Sequence, residues 1–162
     1  MTDYTALGNA IKSTLQNDPW VGNSANVKTL ETHKRGFSIQ DENDARFFSP
    51  SDLPAIAVVP NSEAKQQEPG ATNEIRETIP AQVIGVTRHR DAQSGLIAHH
   101  NMVANLERIL DKQKSSSADL GVGGFVREVS TNEEQFKKGE YYYFISTTTT
   151  QIELTEIGRA HV

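Results

Sequence analysis

Cysteine is absent from this chain of 162 residues. Its absence excludes a disulfide framework, a thiolate nucleophile, an iron–sulfur cluster and any zinc site with cysteine ligands. The sequence also lacks an apolar run of about 18 residues, the length that a transmembrane helix needs. Residues 1–16 have neither a basic start nor an uninterrupted apolar stretch, so we expect no signal peptide. These absences predict a soluble protein that remains in the compartment where it is made.

Positive charge is also scarce, because 16 Lys and Arg residues stand against 21 Asp and Glu residues and give a formal net charge of −5. A protein that coats duplex DNA must neutralise several phosphates, so this balance disfavours that class. Hydrophobic residues make up only 36% of the chain, but they form runs that are bounded by polar stretches. The length and these runs predict one domain with a two-layer core and extended polar loops.

Two amphipathic helices are predicted from apolar residues at helical spacing. The first is capped by Asp3 or Thr5 and stops at Asn17-Asp18-Pro19. The second is capped by Ser94 and runs to Lys112. Its apolar stripe consists of Leu96, Ile97, Val103, Leu106, Ile109 and Leu110. Each helix therefore has one side to bury against another layer.

Five segments have the composition or the alternation of β-strands. They are residues 27–32, 53–59, 74–88, 125–129 and 141–154. The apolar residues of the third segment change parity near Gly85, which indicates either a β-bulge or burial on both faces. Residues 131–139 are interpreted as a charged turn. Sequential strands that no helix separates tend to form hairpins, so we predict an α+β fold with a mainly antiparallel sheet of four or five strands and two helices on one face.

Two long polar segments are predicted to be loops. Residues 38–52 are acidic and contain Phe47-Phe48 as their only large apolar pair, which suits a loop pinned at one point. Residues 61–73 are interpreted as a loop or as the tip of a long hairpin. Because this second segment has no large apolar residue, we expect a two-residue Asn-Gly turn to replace it without loss of the fold.

The search for catalytic and metal-binding motifs yields none that is complete. His99 and His100 are the only clustered histidines, but neighbouring helical residues point about 100° apart and neither histidine has a His, Asp or Glu four positions later. Residues 41–44 resemble the start of a calcium loop, yet Arg46 stands where that loop needs glycine. We therefore expect no catalytic site, no metal site and no cofactor, and interpret the chain as not an enzyme.

Lys65, Arg76, Arg88 and Arg90 flank one predicted hairpin and suggest a small basic patch. No aromatic residue is interleaved with them in the sequence, so the stacking that single-stranded nucleic acid requires is missing. Nucleic-acid binding is therefore the less favoured interpretation of this patch.

The order of elements resembles one known family of assembly proteins. The matching segments are Leu53-Pro54-Ala55-Ile56-Ala57-Val58 after a short helix and an acidic loop, Ile79-Pro80-Ala81-Gln82-Val83-Ile84-Gly85-Val86, the helix from Ser94 to Lys112, and a closing strand pair with Tyr141-Tyr142-Tyr143-Phe144. Together they resemble the tail terminator proteins of long-tailed bacteriophages, the lambda-type tail-completion family, over roughly residues 3–155. Residues 20–52 and 61–73 are longer than that family's pattern.

The resemblance implies a structural virion protein that forms a six-membered ring on the head-proximal end of the tail. Such a ring would cap the tail tube, stop its polymerisation, bind head-tail connector or neck proteins and let DNA pass without specific binding. The residues that we expect to make assembly contacts are Glu63, Lys65, Gln66, Gln67, Glu68, Arg88 and Arg90. The alternatives are another ring of the phage neck and, less favoured, a nucleic-acid-binding protein or a small enzyme.

Overall fold

A computed structural model describes residues 3–40, 43–61, 66–69, 74–114, 120 and 124–157. Two helices, six strands and a short 3-10 turn lie within these residues. In chain order they are α1 (Tyr4–Gln16), β1 (Thr29–Glu31), the 3-10 turn (Pro50–Asp52), β2 (Ala55–Pro60), β3 (Gln66–Pro69), β4 (Glu74–His89), α2 (Ala92–Asp111), β5 (Gly124–Lys138) and β6 (Tyr141–Ile157). In this part of the chain, no helix combines the length and the apolar character needed to cross a membrane.

All six strands belong to one sheet, in which five follow the order β1-β2-β4-β6-β5 and β3 pairs separately with β4. β1 is parallel to β2, and the other neighbouring strands are antiparallel. The longest pairing joins β4 to β6 without interruption from Glu74 opposite Ile157 to His89 opposite Tyr142. The predicted α+β class with a mainly antiparallel sheet is therefore confirmed.

Both helices pack on the same face of the sheet, as predicted. Leu7, Ile11 and Leu15 of α1 share one core with residues of α2, β2, β4, β5 and β6. The members from these other elements include Ile56, Val58, Ile79, Val83, Met102, Leu106, Leu110, Val126 and Ile152. Complete burial of one such side chain contributes about 1.5–3 kcal/mol, so the apolar stripes of the helices are what hold this layer on the sheet.

A second, smaller core covers part of the opposite face. Phe37 and Phe48 pack there against Ala57, Ile84 and Val86, so the long segment after β1 closes this face. Phe48 is fully buried. The described part of residues 38–52 is nevertheless attached at several points and not at one, because the Arg46 carbonyl accepts a hydrogen bond of 2.7 Å from the Arg35 N–H and the Asp52 carbonyl accepts one of 2.9 Å from the Thr29 hydroxyl.

In β4, Val83 contacts the helix side while Ile84 and Val86 contact the opposite side. The parity change near Gly85 thus reflects burial of β4 on both faces. The register shift that a β-bulge produces lies instead in β5, between Val126 and Glu128.

The first turn of α2 differs from the prediction. Asp91, not Ser94, caps the helix, and its carboxylate accepts a hydrogen bond of 2.8 Å from the Ser94 N–H. Leu96 and Ile97 are 37% and 65% exposed, so their predicted burial is wrong. The buried stripe begins at Gly95, where an added Cβ would lie only 2.5 Å from a ring carbon of Phe144. Close packing at a small residue, which hydrophobicity does not reveal, sets the rotation of the helix.

The predicted turn at residues 131–139 is also wrong, because β5 continues to Lys138 and the turn consists of Gly139 and Glu140. Gly139 has a φ of +62°, a conformation that glycine adopts without steric cost. The strand was hidden from the sequence because its side chains are mostly polar and exposed, while pairing with β6 fixes its backbone.

The segment 61–73 contains a strand, since Gln66–Pro69 pair with Ile75–Thr78. Residues 62–65 and 70–73 lie outside the described residues. Pro60 lies opposite Ala81 of β4. Glu74 lies seven residues from Ala81 along the same strand, so Glu74 and Ala81 are about 23 Å apart. Two residues cannot span that distance, so an Asn-Gly turn in place of residues 61–73 could not close the hairpin while residues 74–80 stay in β4.

Candidate functional site

The expected contact residues that the structure describes lie near the two opposite ends of β4. Gln67 lies on β3 beside the first part of β4, whereas Arg88 and Arg90 lie at its far end. Arg76 and Arg88 are twelve residues apart in one continuous strand, which separates them by about 40 Å. The predicted basic patch of Lys65, Arg76, Arg88 and Arg90 is therefore not one surface, because Arg76 lies far from Arg88 and Arg90, while Lys65 lies outside the described residues.

At the near end, the structure describes only part of the predicted set. Glu63 and Lys65 lie outside the described residues, and Gln66 and Glu68 are placed in β3 by their backbone. The Gln67 side-chain amide donates a hydrogen bond of 2.7 Å to Glu77. Glu77 is only 1% exposed, and a buried carboxylate is costly unless it is hydrogen-bonded. Gln67 therefore helps to stabilise the hairpin that β3 forms with β4.

At the far end, two arginines converge on one aromatic ring. The guanidinium of Arg88 lies 4.3 Å from the ring centroid of Tyr141, and that of Arg90 lies 5.3 Å from it. β4 ends here and β6 begins here, which is why residues more than fifty positions apart meet. We call Arg88, Arg90 and Tyr141 the Arg–Tyr cluster. The sequence reasoning named both arginines but missed the tyrosine, whose approach depends on strand pairing.

The Arg–Tyr cluster borders an open cavity of about 350 Å³. Leu53 and Pro54 form its apolar side, and His89 completes the lining. No acidic side chain of the described residues forms a salt bridge with Arg88 or Arg90. Guanidinium groups that stack on a ring keep their N–H edges available for a carboxylate or a phosphate. This cavity can therefore hold an anionic group of a partner molecule.

The nearest carboxylate in sequence, Asp91, already has a structural role. It caps α2 through the backbone and the hydroxyl of Ser94, and these hydrogen bonds lower the pKa of its carboxyl group. The Asp91 N–H also donates a hydrogen bond of 2.9 Å to His89 Nδ1. This capping sets where α2 begins relative to the end of β4.

The two clustered histidines separate in the structure. His99 is buried, its Nδ1 lies 2.8 Å from the Thr87 hydroxyl, and its ring stacks on Phe144. Burial lowers the pKa of His99 to about 4, so this histidine is neutral near pH 7. His100 is exposed and lies 3.0 Å from the Glu133 carboxylate. Among the described residues, no group of three His, Asp or Glu side chains is arranged to hold a metal ion.

The threonine-rich centre of β6 divides between the two faces. Thr148 and Thr150 are buried, and their hydroxyls bond to the Thr131 hydroxyl and to the Ala81 carbonyl. Thr147 and Thr149 alternate to the opposite face, where they are half-buried. The outward threonines thus leave a polar strip on the face that the helices do not cover.

Comparison with known proteins gives no family assignment. No protein-family model matches this chain, and no curated protein matches it.

Proposed function

We propose that this chain is a structural subunit of a bacteriophage tail that assembles into a ring of the tail terminator kind. The ring would sit at the head-proximal end of the tail tube, stop its polymerisation and offer a surface to head-tail connector or neck proteins. In this proposal the protein performs no catalysis and needs no cofactor.

The observation that carries the proposal is the presence of two chemically different regions at opposite ends of one long sheet. The β3–β4 hairpin lies at one end, and the Arg–Tyr cluster lies about 40 Å away at the other. A terminator must contact the tube on one side and the head on the other, and such a sheet can present a different surface to each. Ring closure in addition needs two unlike patches on each subunit.

The order of elements supports the same proposal. A short helix, an irregular segment that contains β1, the strands β2 to β4, a second helix and a final strand pair follow one another in the fold. Apart from the short strands β1 and β3, this is the order that the resemblance implies. The net charge of −5 also suits a protein through which DNA passes, because like charges keep the duplex from adhering to the wall. Another ring of the phage neck would share these features and is the closest alternative.

A second candidate function is binding of single-stranded nucleic acid. It is favoured by the Arg–Tyr cluster, which brings an aromatic ring beside two arginines, as single-strand binding requires. One ring and two arginines form a small footprint, so we rank this function second. Retention of oligonucleotides that weakens as salt rises, and that Arg88→Glu abolishes, would favour it over the ring.

The proposed function is tested with tail tubes that are assembled in the absence of this protein. We expect the added protein to appear as a ring on one tube end in negative stain and to stop further growth. A double variant, Arg88→Glu with Arg90→Glu, should remain folded and fail to join heads to tubes.

The matched control for this experiment is Lys12→Glu with Lys112→Glu, which makes the same charge change on α1 and at the C-cap of α2. The control should cap and join like the parent protein. If tubes keep growing at the same rate in the presence of the parent protein, the terminator function is wrong.

A further inference from the structure

Strand β5 is a long strand at the edge of the sheet. It runs from Gly124 to Lys138 and pairs only with β6, so its other edge faces no strand of the described sheet. The side chains of residues 132–137 are exposed apart from the half-buried Phe136. On such an edge, alternate N–H and C=O groups point outward and can pair with another strand. The question is which strand would fit.

The charges at the end of β5 follow a self-complementary order. The sequence reads Glu133-Glu134-Gln135-Phe136-Lys137-Lys138. When two copies of this segment lie antiparallel, the acidic half of each faces the basic half of the other. When they lie parallel and in register, like charges face each other, which is destabilising. Charges on an edge strand usually oppose pairing, but this order opposes only the parallel arrangement.

We propose that β5 pairs with β5 of a second copy of this chain, antiparallel and around a two-fold axis. In antiparallel strands, directly opposed residues point to the same face of the sheet. A two-fold axis perpendicular to the sheet also keeps the helix-covered faces of both copies on one side. With this symmetry the axis passes between two copies of the same residue, which is the centre of the register. Only registers centred on Gln135 or Phe136 place a Glu of one copy directly opposite a Lys of the other copy.

The two registers use opposite faces of the sheet. Centring on Gln135 places Glu133 opposite Lys137 of the second copy on the helix-covered face. Glu133 is already engaged by His100 there, at 3.0 Å, and α2 reaches β5 through the Glu107–Thr131 hydrogen bond. Occupation of this face by α2 disfavours the first register.

Centring on Phe136 uses the face away from the helices. It places Glu134 opposite Lys138 of the second copy, twice by symmetry, and brings the two Phe136 rings together at the axis. Lys138 already has a partner on this face, because its Nζ lies 5.9 Å from the centroid of the Phe37 ring, so the pair with Glu134 would form beside this cation–π contact. Phe136 stacks on Tyr143 at 5.2 Å, and Tyr143 on Phe37 at 4.6 Å, so each copy presents the end of an aromatic stack. Contact between the two Phe136 rings adds aromatic burial to the Glu–Lys pairs. The Phe136-centred register is therefore the one that we propose.

Such a pair closes on itself and cannot by itself build a ring of six copies. The inference thus concerns the free protein and does not depend on the proposed function. Pairing would also cover residues 134–138 of an exposed edge that could otherwise aggregate.

The test is sedimentation equilibrium of the full chain over a wide concentration range. We expect a reversible monomer–dimer equilibrium that weakens at high salt. Glu134→Lys should weaken the dimer at least about tenfold, since symmetry turns two attractive pairs into repulsive ones. Lys138→Glu should act similarly, and the double variant Glu134→Lys with Lys138→Glu should restore the parent dissociation constant. Glu128→Lys, an exposed position on β5 outside the segment, is the matched control and should change it little.

Each result supports or overturns the inference. A chain that stays monomeric at every concentration overturns it, as does a dimer that Glu134→Lys leaves unchanged. If Lys138→Glu fails to fold, the dissociation constant of Glu134→Lys alone still tests the pairing. Hydrogen exchange is a second test, because pairing must slow the exchange of alternate β5 amides as the protein concentration rises. These measurements need no tail tube, so failure here is distinguishable from failure of the proposed function.

Discussion

At the scale of single residues, His99 is a side chain whose charge depends strongly on the fold. It lies on the buried side of α2, with its Nδ1 against the Thr87 hydroxyl and its ring stacked on Phe144. Its Nε2 has no hydrogen-bond partner among the described residues. A proton on this ring would place an uncompensated charge in the core, which is why burial lowers the pKa of His99 to about 4.

This shift predicts a specific loss of stability in acid. The unfolded chain binds the proton near its ordinary pKa of 6.5 and the folded chain only near 4, so stability falls as the pH drops between these values and falls no further below them. His99→Gln should remove this part of the pH dependence, about 3 kcal/mol, from the free energy of unfolding. Urea denaturation at a series of pH values measures it. His100→Gln is the control, and an equal effect of both variants would contradict the prediction.

The double variant His99→Gln with His100→Gln tests whether either histidine has a chemical role. We expect it to retain whatever assembly activity the parent protein has, because His99 is buried and His100 is an exposed partner of Glu133. Loss of activity in a variant whose unfolding free energy at pH 7 is unchanged would show that this expectation is wrong.

The position of α2 predicts unequal effects of two leucine truncations. Leu106 is fully buried, so Leu106→Ala should leave a cavity and lower the free energy of unfolding by about 2–5 kcal/mol. Leu96 is 37% exposed on the same helix, and Leu96→Ala should change that free energy by less than about 1 kcal/mol. Chemical denaturation midpoints compare the two variants. Similar values for both would mean that the helix presents a different side to the sheet.

At the scale of elements, the β3–β4 hairpin projects beyond the part of β4 that pairs with β2. β2 pairs with β4 from Ala81 to Val86, and β3 takes over from Ile75 to Thr78. The buried Glu77 and its partner Gln67 both belong to this projection. Deletion of the projection removes both partners of this hydrogen bond together, so neither group is left behind by the loss of the other.

Replacing residues 63–78 with Asn-Gly tests the role of the hairpin. This turn would join residue 62 to Ile79, which keeps Ile79 and the rest of the helix-side core in place. We expect a folded protein by circular dichroism that fails to join heads to tails. In complementation, unjoined or overlong tails would support a contact in the hairpin, whereas normal yields of joined particles would show that it is dispensable.

At the scale of the whole molecule, the surface has few large apolar side chains. Ile39, Leu96 and Ile97 are the exposed large hydrophobic residues of the described chain. A permanent oligomer usually buries a broad apolar interface, and three residues do not provide one. Ring formation would therefore depend on a template such as the tail tube.

The proposed function predicts a ring of six copies at the tail end, even when the free protein is monomeric or dimeric in solution. Many weak polar contacts that engage together on the tube would hold the ring. Cryo-imaging of complete tails measures its symmetry. One copy at the tail end, or a ring of different symmetry, would contradict the prediction.

The sequence by itself determined the α+β class, both helices and most of the strand positions, because apolar periodicity is a local signal that needs no knowledge of neighbours. It also placed Leu106 in the core. Only the tertiary structure decided which strands pair, how far β5 extends, and that Arg88 meets Tyr141 while Arg76 lies far from both. These features depend on hydrogen bonds and close packing between residues distant in sequence. An exposed, charged edge strand such as β5 has no periodic apolar pattern, so only its pairing with β6 reveals it.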